Sequence, residues 1–168
     1  MRADYINPFI KSLNRVFQTM LGCEVRRGQP YLKVNSSSEH AISGVIGLSG
    51  RAVGTVVLSL SGEVAIRAAS TMHSCELAKI DADVCDAIGE LTNMVAGAAK
   101  AELEEYRLSV SLPNIVTGKD HEVRFPSNVT PLCVPFETAW GPLLLEVGLE
   151  EVCEPAADHG YTVPAGGE

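Results

Sequence analysis

Asp86, Glu90, Asn93 and Gly97 fall at i, i+4, i+7 and i+11 of one segment with helical apolar periodicity. At 3.6 residues per turn this spacing stacks them in a single line. Two carboxylates in that line can pair with a cation, and a carboxamide can both donate and accept a hydrogen bond. Such a carboxamide can hold a water molecule by a proton and a lone pair at once, which is the positioning that hydrolysis needs. The segment holds no histidine or metal-ligand cluster to serve as base or nucleophile, so a reaction here has to be completed by groups that another molecule brings. On spacing alone, an acidic stripe is more often the mark of an ordinary solvated helix face.

Other residues with chemical potential are less well arranged. His40, His73, His121 and His159 lie far apart without paired spacing, which favours ordinary surface or core histidines over ligands or bases. Ser109 and Ser111 alternate in an apolar strand, with no nucleophile elbow around them. Cys23, Cys75, Cys85, Cys133 and Cys153 are odd in number and lack zinc spacing. They read as reduced thiols, mostly core filler. Gly44, Gly47, Gly50 and Gly54 match no phosphate-binding loop and are assigned to turns and tight strand packing.

The elements that position the line follow from periodicity and punctuation. Asn7-Pro8 reads as an N-cap and first helical residue, Phe9, Leu13, Val16, Phe17 and Met20 follow at helical spacing, and Gly22 stops the helix. A helix over 7–21 is expected. Segments 42–48 and 52–58 form a predicted hairpin around Ser49-Gly50-Arg51. Residues 62–73 predict a short helix, and 81–105 a long one that carries the line. On the long helix Ile80, Val84, Ile88, Leu91, Val95 and Ala98 gather on the side facing the core. Gly89 and Gly97 each cost a helix interior about 1 kcal/mol relative to alanine, so close packing or an approaching partner has to offset them. Strands are expected over 108–116, 129–136 and 142–149, with Phe136 and Trp140 at a buried aromatic corner. This order predicts an α+β domain, a mainly antiparallel sheet with long helices packed on it, over residues 1–152, and a flexible tail over 153–168.

The chain has 168 residues, 46% of them hydrophobic, and a formal charge of −8. That length and composition support one domain with a substantial core and exclude wholesale disorder. The acidic balance and scattered basic residues argue against nucleic acid as a partner. No apolar run approaches the roughly 20 residues needed to cross a bilayer, and no signal-like segment follows Met1, so a cytoplasmic protein with no membrane association is expected.

Asp86-x-x-x-Glu90-x-x-Asn93 resembles the signature of the CheC/CheX family of chemotaxis phosphatases. The likeness extends to Ile6-Asn7-Pro8-Phe9, to Ile42-Ser43-Gly44-Val45-Ile46-Gly47-Leu48-Ser49-Gly50, to Ser111-Leu112-Pro113 and to Pro135-Phe136-Glu137-Thr138. It thus covers most of residues 5–150, and the single copy of the motif is similar to the CheX branch rather than the duplicated CheC branch. Pro113 follows Asn93 sooner than the proline of the family pattern. The resemblance implies a CheC-like fold and a phosphatase of the phospho-aspartate on a CheY-type response regulator. It implies that Asn93 orients the attacking water and Glu90 pairs with a lysine of the regulator, with Asp86 and Gly97 supporting docking. No cofactor or metal is then expected on this chain, Mg²⁺ belongs to the regulator, and the chain forms a homodimer joined by its sheets. The rival readings are a module that binds the regulator without hydrolysis and a structural component akin to flagellar switch proteins.

Overall fold

The computed structural model describes residues 5–33, 40–119, 121–126 and 128–152. Helix α1 spans Ile6–Leu21, strands β1 and β2 Val25–Arg27 and Tyr31–Leu32, and the hairpin β3–β4 Ile42–Ser49 and Ala52–Leu60. Helices α2 (Gly62–His73) and α3 (Ala82–Ala101) follow, then a 3-10 turn at Glu104–Tyr106. Strands β5 (Ser109–Val110), β6 (Asn114–Thr117), β7 (Leu132–Thr138) and β8 (Gly141–Glu151) complete the chain. All pairings are antiparallel in one eight-stranded sheet of order β1-β7-β8-β4-β3-β5, with β2 also on β7 and β6 also on β3. The α+β architecture expected from the sequence is the one observed. The tail expected over 153–168 lies outside the described residues.

Alternation along the strands sends Ile42, Ile46 and Leu48 of β3, Val56, Leu58 and Leu60 of β4, and Leu143, Leu145 and Val147 of β8 to the same face, all buried. The three helices cover that face, with α3 between α1 and α2. Part of the opposite face is covered by residues from 118–131. Phe125 and Val129 sit where a side chain on Gly148 would project. Lys33 Nζ donates to the Val123 carbonyl at 3.2 Å and pairs with Glu146 at 2.7 Å. His121 Nδ1 lies 2.7 Å from the Gly118 carbonyl and Nε2 2.6 Å from Ser43 Oγ. A carbonyl can only accept, so Nδ1 carries a proton; in the neutral ring Nε2 then accepts from Ser43, whose oxygen lies 2.7 Å from Ser59 Oγ. The histidine is thereby a strut for the covering segment.

Two expectations need correction. Helix α1 begins at Ile6 rather than Asn7, and its N-cap, Tyr5, makes no side-chain cap bond. Tyr5 is drawn inward by its own contacts: its hydroxyl donates to Glu151 and accepts from Tyr106, whose ring meets it edge-on at 5.1 Å. Pro8 remains compatible because the first helical turn has no intrahelical use for its N–H. The predicted strand over 108–116 is two strands. Val110 pairs with Leu48 and Asn114 with Val45, so residues 111–113 oppose only two residues of β3 and form a bulge at Pro113. Among the four described cysteines, Cys23 and Cys133 are buried and Cys85 packs half-buried against the core, in keeping with the expectation that most fill the core, while Cys75 is exposed.

Candidate functional site on the exposed ridge of α3

Helix α3 is fixed at both ends and along three sides. Asp81 caps it, accepting from Val84 N–H at 3.3 Å, and Lys100 lies in its last turn. These choices suit the orphan amides and the dipole of the helix. Val84, Ala87, Ile88, Gly89, Leu91, Thr92, Val95, Ala96 and Ala99 are buried. This arc is wider than the predicted apolar side, since Ile80 and Ala98 are only half-buried while alanines and a threonine join the interface. Small residues let neighbours come close. Ser12 Oγ of α1 donates to the Val95 carbonyl at 2.7 Å. A Cβ on Gly44 of β3 would lie 2.1 Å from Thr92 Oγ1, so only glycine fits there. Gly89 faces Pro113 and Ile115, whose side chains would stand 3.5 Å and 3.7 Å from a Cβ added to it.

What remains outside is narrow. Asp86, Glu90, Asn93 and Gly97 are all exposed, in line, over about 16 Å of helix at the usual rise per residue. Glu90 and Asn93 stand one turn apart, with Cβ atoms about 5–6 Å from each other on ordinary helix geometry. Neither engages a hydrogen bond or ion pair with the described residues. Asp86 adjoins Cys85, whose thiol is held above its ordinary range by burial first and by the charges of Asp86 and Asp81 after it. A Cβ on Gly97 would meet nothing within 4 Å, so the packing that accounts for Gly89 does not account for Gly97.

The ridge therefore offers a carboxylate and a carboxamide to the exterior on a helix that cannot easily shift. No group of three or more His, Cys, Asp or Glu side chains suited to a metal ion occurs among the described residues. Ser111 is engaged with Gly47 N–H and the Leu112 carbonyl, and His121 meets Ser43, a buried serine outside the candidate set, so neither candidate builds a serine–histidine pair. Phe136 is buried and Trp140 half-buried at the β7–β8 turn. No described helix is long and apolar enough to cross a membrane.

Residues 42–137, more than half of the chain, match the family described as chemotaxis phosphatase CheX. The chain is 31% identical over 127 residues to the CheY-P phosphatase CheX of Thermotoga maritima, covering 74% of this chain and 82% of that protein. The chain belongs to the CheX family. Its fold is shared with a CheC-like superfamily protein from Shewanella sp. PV-4, at a TM-score of 0.83 and 33% identity, with 89% of this chain and 99% of that one covered. The fold is also that of CheX in the CheX–CheY–BeF3–Mg²⁺ complex from Borrelia burgdorferi, at a TM-score of 0.76 and 24% identity, with coverage of 89% and 100%. The match over 42–137 takes in the whole of α3 and the bulge beside it, so this CheX-family member has the ridge within its matched segment.

Proposed function

We propose that this chain is a phosphatase of a phosphorylated CheY-type response regulator, and that α3 supplies half of the catalytic centre. The observation that carries the proposal is the outward, unpartnered presentation of Glu90 and Asn93 on a helix immobilised by its packing. The activity named for the Thermotoga maritima relative supports the same reading. In a receiver domain the phosphoryl group sits on an aspartate, and the Mg²⁺ of the regulator neutralises charge on it. Hydrolysis then depends mainly on bringing water in line. The CheY, BeF3 and Mg²⁺ of the Borrelia complex agree with a metal held by the regulator.

Asn93 enters the site of the regulator and orients the water through its carbonyl and amide groups. Glu90 pairs with a lysine of the regulator and fixes the helix in register. Asp86 adds to the negative potential along the approach. Gly97, which has open space where a side chain would be, lets the surface of the partner come against the helix backbone. The chain itself acts without a bound metal or cofactor, in the cytoplasm. It forms a homodimer joined through a sheet edge, a reading supported by the exposure of Tyr31 and Leu32 on the edge strand β2.

The test is phosphate release from CheY-type regulators of the same genome, charged with acetyl phosphate in the presence of Mg²⁺. Asn93→Ala lowers kcat by roughly two orders of magnitude if it positions the water. Glu90→Ala mainly raises KM, and that effect shrinks at high salt. Equal rates for wild type and Asn93→Ala refute the catalytic role. Capture of the regulator with its autodephosphorylation unchanged identifies a binding module instead, and neither capture nor release leaves a structural protein of this fold.

A further inference from the structure

Beside the ridge stands one side chain for which the subunit has no use. Leu112 is 87% exposed, and the next large apolar residue described, Leu32, is 57% exposed. Leu112 sits in the bulge between β5 and β6, and bulges re-aim side chains next to functional sites. The bulge is braced on both sides. Ser111 N–H donates to the Gly47 carbonyl and Ser111 Oγ accepts from Gly47 N–H, each at 2.9 Å. Ser111 Oγ also donates to the Leu112 carbonyl at 2.8 Å. On the other side the Pro113 ring lies 3.5 Å from the position of a Cβ on Gly89, the residue that precedes Glu90 and lies one turn before Asn93. Helical projection puts Gly89 on the flank of α3 next to Asn93. An exposed apolar residue thus sits in a braced bulge whose next residue, Pro113, lies against the flank of α3, and the N-terminal half of the ridge carries the exposed acids Asp83, Asp86 and Glu90.

We propose that Leu112 is the apolar anchor of the regulator-docking surface, seated in an apolar recess that a CheY-type regulator presents beside its phosphorylated aspartate. This rests on the reading of the ridge given above. A surface that pairs an acidic line with one projecting apolar group fits a partner with a recess flanked by a basic side chain, and isolated apolar anchors ringed by polar contacts carry much of the affinity of such interfaces. A second copy of this chain fits the feature less well, because Pro113 lacks an N–H and the bulge blunts the edge against strand pairing. Asn93 and Glu90 then act on a partner whose position is set from two sides of α3.

Leu112→Ala and Leu112→Ser are compared with wild type in phosphate release from the acetyl-phosphate-charged regulators, and in binding to the same regulators loaded with BeF3 and Mg²⁺. Both variants raise KM and Kd about tenfold, leave kcat within about twofold, and keep the wild-type melting temperature, since the side chain packs on nothing internal. Leu112→Met restores binding to within about threefold of wild type. Unchanged KM and Kd overturn the proposal, as does a fall in kcat at constant KM. A loss of self-association in sedimentation, with regulator binding intact, assigns Leu112 to a contact between copies and also overturns it. Wild-type protein that neither binds nor dephosphorylates any regulator removes the ridge reading and the anchor together, whereas an active wild type matched by Leu112→Ala removes the anchor alone.

Discussion

Gly44→Ala is the sharpest test of how the ridge is positioned. The added methyl carbon would lie 2.1 Å from Thr92 Oγ1, 2.9 Å from Thr92 Cβ and 3.1 Å from Cγ2. Rotating Thr92 removes the first contact at the loss of its 2.6 Å bond to the Ile88 carbonyl. It cannot remove the second, which stays about half an ångström inside the 3.4 Å at which ordinary contact begins. Helix α3 has to lift from β3. Overpacking of a well-filled site costs about 1–3 kcal/mol, partly offset by about 0.5–1 kcal/mol from replacing a strand glycine. At mid-range the net loss is about 1 kcal/mol, or a Tm lower by roughly 2–4 °C in a chain of this size. Thermal unfolding followed by circular dichroism measures it. Thr92→Ala removes Oγ1 and Cγ2, so the Gly44→Ala/Thr92→Ala double variant is less destabilised than the sum of the singles. Because Asn93 follows Thr92, the displaced helix also lowers phosphate release by more than the folded fraction falls. A Gly44→Ala protein as stable as wild type, or strict additivity in the double variant, refutes the close approach of helix and sheet as the device that fixes the ridge.

Gly97→Ala has the opposite sign on stability: its Cβ meets nothing, so it raises stability by about 0.5–1 kcal/mol in chemical denaturation, yet weakens binding of a BeF3-loaded regulator. Lys33→Ala strands the Glu146 carboxylate, which is 4% exposed, and costs about 3–5 kcal/mol, whereas Lys33→Met/Glu146→Leu recovers most of that loss in urea titrations. Burial, and then the charge of Glu146, push the Cys133 thiol from 9.0 up to about 12. A raised folded-state value means that the native protein holds this proton more tightly than the unfolded chain does. Its contribution to stability is therefore full below about pH 9 and lost as pH rises through about 12, a decline that Cys133→Ala lessens in pH-dependent melting. Alkylation of the native protein, read by peptide mass spectrometry, modifies Cys75 ahead of Cys23 and Cys133.

The sequence was most legible where periodicity was long and unconflicted. Helix α2 begins and ends where 62–73 predicted, and Gly22 closes α1 with φ 60° as a left-handed stop. The exposure of Asp86, Glu90, Asn93 and Gly97 followed from angular spacing alone, since a helix buried on its apolar side has to turn its polar residues outward. Long-range contacts were what local patterns could not supply. Tyr5 caps α1 because Glu151 and Tyr106, both distant in sequence, engage its hydroxyl. The 108–116 strand divides because its register against β3 shifts by one residue, although Pro113 within the run was a usable warning. The one-residue clearance at Gly44 depends on where α3 crosses the sheet, which no pattern within β3 reveals. Leu112 escaped notice for a related reason: within a presumed regular strand an apolar residue is read as inward-facing.

Because most of the circumference of α3 is committed to packing and its outer strip to nothing inside the subunit, the two sets of positions answer to separate constraints. In a mutational scan that scores cellular abundance alongside signalling output, substitutions at 93 should lower the output most and those at 86, 90 and 112 should weaken it, all at full protein level, while those at 44, 88, 91 and 95 should deplete the protein itself. A cell could accordingly rewire which regulator is switched off by exchanging a few solvent-facing side chains, with no new solution to the folding problem.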